Sequence, residues 1–218
     1  MRWLGWRLVI LVSLAFATQV HSQEDRTLAW HLNAGYSATT GRTSDFLDGG
    51  WIIGGGLTWK PWQDRPFGLL AEINYSRYDA TNQLIQLANL QQDTVRIDDG
   101  DTEIWSFNVN GVYKIPFNTW SRGYVTAGIG EYYRNVEMTQ TVLLGGFYCD
   151  PWWGFCYPGV FPGDAIVSSQ STTRFAWNAG IGVEFPLAYG SWFIDARYHR
   201  IETSEPTEFI PIQVGFRF

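Results

Sequence analysis

The last nine residues of the chain alternate between apolar side chains and small or polar ones. Successive side chains of an extended strand point to opposite sides. One face of such a strand would carry apolar side chains only: Ile210, Ile212, Val214, Phe216 and Phe218. The other face would carry Gln213, Gly215 and Arg217. This pattern predicts a terminal strand with one face suited to an apolar environment and one suited to water.

The first 22 residues have the pattern of a secretory signal peptide. Arg2 and Arg7 give it a positively charged start, residues 8–17 an apolar core, and residues 20–22 a small-residue cleavage motif. We therefore expect residues 1–22 to be removed and residues 23–218 to form one domain. Loss of the two arginines takes the net charge from −6 to −8. A chain this acidic is not expected to bind nucleic acid, which requires clustered Lys and Arg.

No later stretch approaches the roughly 18 to 20 apolar residues that a membrane-spanning helix needs. Strands can cross a bilayer only in a closed barrel, because lipid offers no hydrogen bonds to the backbone. The abundance of aromatic residues and glycine, with 12 Trp, 11 Tyr, 14 Phe and 23 Gly, agrees with such a barrel. The sequence thus predicts an all-β fold, an eight-stranded antiparallel up-and-down transmembrane β-barrel.

Segments with a two-residue period mark the eight predicted strands. Their approximate ranges are 27–38, 50–60, 67–78, 102–114, 123–138, 171–185, 191–199 and 207–218. The connections alternate in length: 39–49, 79–101 and 139–170 are long, 200–206 is intermediate, and 61–66, 115–122 and 186–190 are short. Outer-membrane barrels have short periplasmic turns and long extracellular loops. Both chain termini would then lie in the periplasm.

Aromatic residues near the strand ends are expected to form belts at the two membrane surfaces. The pairs that suggest these belts are Trp51 and Trp59, Tyr75 and Tyr78, Trp105 and Tyr113, Tyr132 and Tyr133, and Trp192 and Tyr198. The alternative is a secreted, lipocalin-like barrel that binds an apolar ligand and points its apolar face inward. The scarcity of surface lysines and the aromatic terminal strand favour the membrane barrel.

The chain resembles the small eight-stranded outer-membrane barrels of the OmpA/OmpX type, including the opacity-like surface proteins. The resemblance rests on patterns rather than a signature, in the signal peptide and in residues 123–130, 177–185, 194–198 and 212–218. It implies residence in outer-membrane lipid. It also implies that Phe216 and Phe218 belong to the segment that the barrel-assembly machinery reads.

Charged residues on the polar faces are expected to meet inside the barrel. This set comprises Glu72, Glu184, Asp195, Arg197 and Arg217, together with His31 and His199. An unpaired charge shielded from water is costly, so these groups should form a hydrogen-bonded network. Because eight strands leave an interior just wide enough for side chains, we expect a filled lumen, with a small-solute pore as the alternative.

Cys149 and Cys156 are the only cysteines, and export places them in an oxidising compartment. We predict a disulfide between them rather than a zinc site, which would need further ligands. The disulfide would staple the tip of loop 139–170 and present an aromatic patch for an extracellular partner. The predicted patch comprises Tyr148, Trp152, Trp153, Phe155 and Tyr157. The alternative is that these rings pack on other loops or enter the outer leaflet.

Lipid A modification is the enzymatic alternative, with His199 near Glu202, Thr203, Ser204 and Glu205 at the outer rim. Ile201 occupies the position where a His-x-Ser motif would need serine. We therefore predict no catalytic residues, no cofactor and no metal site. The function expected from the sequence is structural or surface recognition, carried by the extracellular loops.

Overall fold

The computed structural model describes residues 27–62, 65–91, 96–118, 120–149, 154–203 and 205–218. The predicted signal peptide, residues 1–22, lies outside these ranges. The eight strands are β1 Leu28–Thr40, β2 Gly50–Trp59, β3 Phe67–Asp79, β4 Asp99–Pro116, β5 Arg122–Cys149, β6 Cys156–Leu187, β7 Gly190–Ile201 and β8 Thr207–Arg217. A 3-10 helix, Gly41–Asp45, follows β1, and helix α1, Asn82–Gln91, follows β3. No helix in the described ranges is long and apolar enough to cross a membrane.

The strands form a closed antiparallel barrel in which each pairs with its sequence neighbours and β8 pairs with β1. Trp30 and Phe218 exchange two backbone hydrogen bonds of 2.9 and 3.1 Å at the closing seam. The predicted eight-stranded architecture is thereby confirmed.

The register of the barrel fixes its geometry. Paired residues followed once around the barrel from Trp30 return to β1 at Thr40, ten residues further along. A stagger of this size with eight strands goes with a strand tilt of about 40°. Each residue then advances about 2.5 Å along the barrel axis.

The two faces of the strands are sorted as the sequence predicts. The outward side chains Trp177, Ile181, Ile194 and Val214 are 39%, 66%, 47% and 47% exposed. The inward side chains Asn108, Asn178 and Asp195 are at most 2% exposed. A soluble barrel with an apolar interior would show the opposite arrangement, so the lipocalin-like alternative is wrong.

The outward face carries two aromatic belts. Each of two strands carries a pair of aromatic residues eight positions apart, Trp51 and Trp59 on β2 and Trp105 and Tyr113 on β4. All four side chains are about half exposed. This spacing puts them about 20 Å apart along the barrel axis, close to the height of a membrane barrel's apolar band. Tyr78 and Tyr132 were expected in these belts, but they point into the barrel and are each 1% exposed.

Three of the predicted loops contain regular structure, since segment 39–49 holds the 3-10 helix Gly41–Asp45. Segment 79–101 holds α1, whose first turn is capped by the Thr81 hydroxyl, which accepts a 3.3 Å bond from the Leu84 N–H. Segment 139–170 is not a loop, because β5 and β6 continue through it as a paired hairpin up to Cys149 and Cys156. The connection itself is limited to the residues between the two cysteines.

Candidate functional site

The centre of the barrel holds a network of buried charges around Arg197. This guanidinium forms ion pairs with Glu72 and, at 2.6 Å, with Asp195. The second oxygen of Glu72 lies 3.1 Å from His31 Nε2, and Tyr124 donates to Asp195 at 2.9 Å. The structure therefore brings four of the predicted lumen residues, Glu72, Asp195, Arg197 and His31, into one contact network. Tyr124 is a member that the sequence patterns did not identify.

A second ionic cluster lies nearer the periplasmic end and is centred on Glu184. Its carboxylate pairs with Lys114 and, at 2.9 Å, with Arg217, and it accepts a 2.6 Å bond from Ser191. Glu184 and Arg217, the two remaining charged residues of the predicted lumen set, thus meet here rather than in the Arg197 network. Lys114 was missed, although its place one residue after outward Tyr113 puts it on the inward face.

One apolar layer lies at the hairpin end of the ionic interior and another lies between the Arg197 network and the Glu184 cluster. The layer at the hairpin end of the barrel comprises Leu47, Tyr78, Ile104, Tyr132, Ala176, Ile201 and Phe209. The layer between the two clusters comprises Leu70, Val112, Tyr124 and Phe193. Because apolar layers alternate with paired charges along its length, the lumen resembles a protein core more than a channel.

The arrangement around His199 does not resemble a catalytic site. His199 was expected at the outer rim, but it is 4% exposed and its ring stacks on Phe209 at 5.0 Å. Its Nδ1 is bonded to the Tyr132 hydroxyl. Glu202 accepts a hydrogen bond from the Trp177 indole N–H outside the barrel, and Glu205 forms an ion pair with Arg42. Ser204 lies outside the described residues. Among the described residues, no His, Cys, Asp and Glu group is arranged to hold a metal ion.

The β5–β6 hairpin rises well beyond the rest of the barrel. Along the chain, Thr139 is the last β5 residue that pairs with β4, and Ala176 is the first β6 residue that pairs with β7. Ten further residue pairs join β5 and β6 alone, from Gln140 opposite Ala165 to Cys149 opposite Cys156. At about 3.3 Å per residue this part of the hairpin is about 33 Å long.

The hairpin ends in a disulfide between Cys149 and Cys156, which are directly opposed in the strand register. In the predicted aromatic patch, Phe155 and Tyr157 are 62% and 57% exposed. Trp152 and Trp153 lie outside the described residues, as does the side chain of Tyr148. Phe216 and Phe218 were predicted to belong to the segment that the assembly machinery reads. The Phe216 ring lies on the outward face, with its centroid 5.2 Å from that of Trp192 and 5.9 Å from that of Phe218.

One face of the hairpin is apolar, a feature that the sequence patterns did not reveal. Leu143 and Phe147 lie on the same face of β5, and Val160 and Ile166 on β6 are the partners of Gly145 and Thr139 on that face. These four side chains are 74%, 73%, 64% and 60% exposed. We refer to Leu143, Phe147, Val160 and Ile166 as the hairpin face.

The family model described as an outer membrane protein β-barrel domain matches residues 8–218. No curated protein is significantly similar to the chain in sequence. The family is defined by its membrane barrel and not by a reaction, in agreement with the prediction that the protein is not an enzyme.

Several solved outer-membrane barrels are similar in structure. Neisserial surface protein A matches with a TM-score of 0.54 at 13% identity, over 88% of this chain and 96% of its own. A major outer membrane protein from Thermus thermophilus matches with a TM-score of 0.47 at 10% identity, over 88% and 99%. Ail, the attachment invasion locus protein of Yersinia pestis, matches with a TM-score of 0.45 at 14% identity, over 88% and 100%.

Proposed function

Because this chain belongs to the family of outer-membrane proteins with a β-barrel domain, we propose that the β5–β6 hairpin binds an extracellular protein. In this proposal the barrel is the anchor in outer-membrane lipid and the hairpin is the recognition element. The observation that carries the proposal is the hairpin face, four large apolar side chains exposed on a segment that extends about 33 Å past its last neighbouring strand.

An exposed apolar face on a two-stranded ribbon is unfavourable in water and typical of a surface that meets a partner. The Arg197 network and the Glu184 cluster have no such exposure, so they are suited to holding the barrel together. Among the described residues, the apolar surface that extends furthest from the membrane is on the hairpin.

The backbone of the hairpin indicates which class of partner would fit. Among the described residues, 140–149 of β5 have no strand on the side away from β6, and 156–174 of β6 have none on the side away from β5. Free strand edges pair with extended polypeptide segments, and neighbouring apolar side chains then add specificity. A protein partner can use both features, which favours it over a sugar or a small solute.

The disulfide supports the same role. It joins the two strands at the tip, beyond the last described residues of β4 and β7 that pair with them, and so limits the conformations that binding would have to order. The aromatic side chains of Phe155 and Tyr157 next to it would extend the contact surface, and we propose Tyr148, Trp152 and Trp153 as further members.

The test compares bacteria that display the full protein with bacteria that display a shortened form. Gln140 and Ala165 are register partners, so an Asn-Gly turn can join them and remove residues 141–164 without disturbing the barrel. A matched control keeps the hairpin and changes only Leu143→Ser and Phe147→Ser. Both variants must show the heat-dependent gel mobility of a folded barrel.

Attachment is measured to surfaces coated singly with fibronectin, laminin, collagen or serum proteins. We expect the full protein to increase attachment to at least one coating. We expect the shortened form to abolish this increase and the serine variant to reduce it at least fivefold. Equal attachment by all three forms on every coating would refute the proposal.

A further inference from the structure

A cavity of about 620 Å³ lies at the hairpin end of the barrel, separate from the hairpin face. The 3-10 helix, α1, the base of the hairpin and the β7–β8 connection all contribute to its wall. Its volume falls in the range of small-molecule sites. It lies above the apolar layer that closes the lumen, and Leu47 belongs to both.

Arg134 enters this cavity without a carboxylate partner. It is a residue of β5 beyond the outer aromatic belt, next to Tyr133. Its only hydrogen bond to another described residue goes from Nη1 to the Thr207 hydroxyl, at 3.3 Å. Partial burial without a compensating negative charge lowers the pKa of Arg134 from its usual value.

The acidic side chains of the cavity serve another arginine. Glu205 pairs with Arg42 at 2.6 Å, and Asp45 acts on the same guanidinium. Of the two arginines that line this cavity, Arg42 therefore has a carboxylate partner, whereas Arg134 contacts none among the described residues.

A second arginine lies beside Arg134 on the same sheet face. Arg134 pairs with Thr172 and Tyr132 pairs with Arg174, so the two arginines are diagonal neighbours across β5 and β6. Diagonal neighbours are about 7–8 Å apart. Both also line a small crevice with Thr172 and Thr207. Two arginines at neighbouring positions on one face add their positive potentials and favour an anion beside them.

The rest of the wall indicates what the anion would carry. Leu84, Val136, Met138 and Pro206 supply apolar surface, while Thr102 and Ser168 add hydroxyl groups. A guanidinium binds a carboxylate through two parallel hydrogen bonds, and the apolar wall suits a hydrocarbon body.

We propose that this cavity binds a small organic acid from the extracellular medium, with its carboxylate on Arg134 and its apolar body against Val136 and Met138. The site is independent of the hairpin face, so either proposal can fail alone. Arg174 strengthens the positive field at the carboxylate end.

The test uses the mature barrel refolded into phosphatidylcholine nanodiscs, with octanoate as the probe in calorimetric titrations. Empty nanodiscs measure partition of the probe into lipid. Octanamide is the uncharged probe of the same size, and inorganic phosphate is the anion without an apolar body. The variants are Arg134→Gln, Arg174→Gln and, as control, Arg96→Gln, an exposed arginine whose ion pair is with Asp98. Heat-dependent gel mobility verifies that each variant is folded.

We expect octanoate to bind the wild-type barrel above the empty-disc background and Arg96→Gln with the same Kd. Arg134→Gln should weaken binding at least tenfold and Arg174→Gln about threefold, and octanamide should bind at least tenfold more weakly than octanoate. The proposal is overturned if octanoate binds no better than to empty discs or if Arg134→Gln retains the wild-type Kd. It is also overturned if octanamide binds equally well, or if inorganic phosphate binds as tightly as octanoate, which would indicate an adventitious ion only.

Discussion

The Arg197 network allows a quantitative prediction about barrel stability. Arg197→Met would remove the cation that contacts both Glu72 and Asp195, and all three side chains are at most 4% exposed. Removing one partner of a buried ion pair costs about 3–5 kcal/mol, because the remaining charge is left uncompensated. His31 and Asn110 still contact Glu72 at 3.1 Å, and Tyr124 still donates to Asp195 at 2.9 Å. These contacts solvate part of the stranded charge, so we expect a loss of about 3 kcal/mol, the lower end of that range.

Two controls separate this effect from a general loss of packing. The triple variant Arg197→Met, Glu72→Gln and Asp195→Asn removes all three charges, and it should recover most of the lost stability because no unpaired ion remains. Arg42→Met breaks an ion pair whose side chains are 76% and 70% exposed. It should leave the urea midpoint of the barrel unchanged, because solvent screens an exposed ion pair.

The measurement is urea unfolding of the barrel in phospholipid vesicles, followed by tryptophan fluorescence and by gel mobility without boiling. If Arg197→Met and Arg42→Met lower stability equally, the lumen network does not stabilise the barrel as described. If the triple variant is less stable than Arg197→Met alone, the loss of stability does not come from the uncompensated charges of Glu72 and Asp195.

Four further predictions concern other parts of the molecule. Ile73→Arg places a cation on the lipid face, where Ile73 is 55% exposed, and should cost about 2–4 kcal/mol in the same urea assay. Gly182→Ala would place a Cβ 2.3 Å from the ring of Tyr124 and should cost about 1–3 kcal/mol, whereas Gly145→Ala, with no atom within 4 Å, should be neutral; equal effects would contradict the packing argument. The two apolar layers that fill the lumen predict no steady conductance in planar bilayers, and Arg217→Leu should destabilise the barrel or open a conductance, so a variant unchanged in both would refute its place in the Glu184 cluster. Replacing both Cys149 and Cys156 by serine should leave the urea midpoint of the barrel unchanged while speeding proteolysis of the hairpin, and a shifted midpoint would show that the tip contributes to the barrel.

The strands within the membrane could be predicted because each separates two environments. Lipid on one side and a polar lumen on the other impose the alternation seen in Trp177, Asn178, Ala179 and Gly180. Beyond the outer aromatic belt, water surrounds both faces of the hairpin and no alternation is imposed. Pro158 and Gly159 also read as turn residues, yet they pair with Phe147 and Gly146. Segment 139–170 therefore looked like a loop.

The composition of the lumen was only partly predictable. Charged residues on polar faces identified most members of the lumen, but a single network was expected, and the division into one cluster with Glu72 and Arg197 and another with Glu184 and Arg217 depends on the stagger between strands. Single-strand patterns do not contain that stagger. Tyr78 and Tyr132 were assigned to the belts because an aromatic near a strand end suits either location. The face of the strand decides between the two, and the odd or even position of each residue was the unused signal.

The sidedness of the strands can be measured by a nitroxide scan along residues 177–184 in phospholipid vesicles. Each position is changed singly to cysteine in a background with Cys149 and Cys156 replaced by serine, then spin-labelled. We expect collision rates with oxygen, which concentrates in the bilayer, to be high at positions 177, 179, 181 and 183 and low at 178, 180, 182 and 184. Maxima at the even positions, or rates without a two-residue period, would contradict this sidedness.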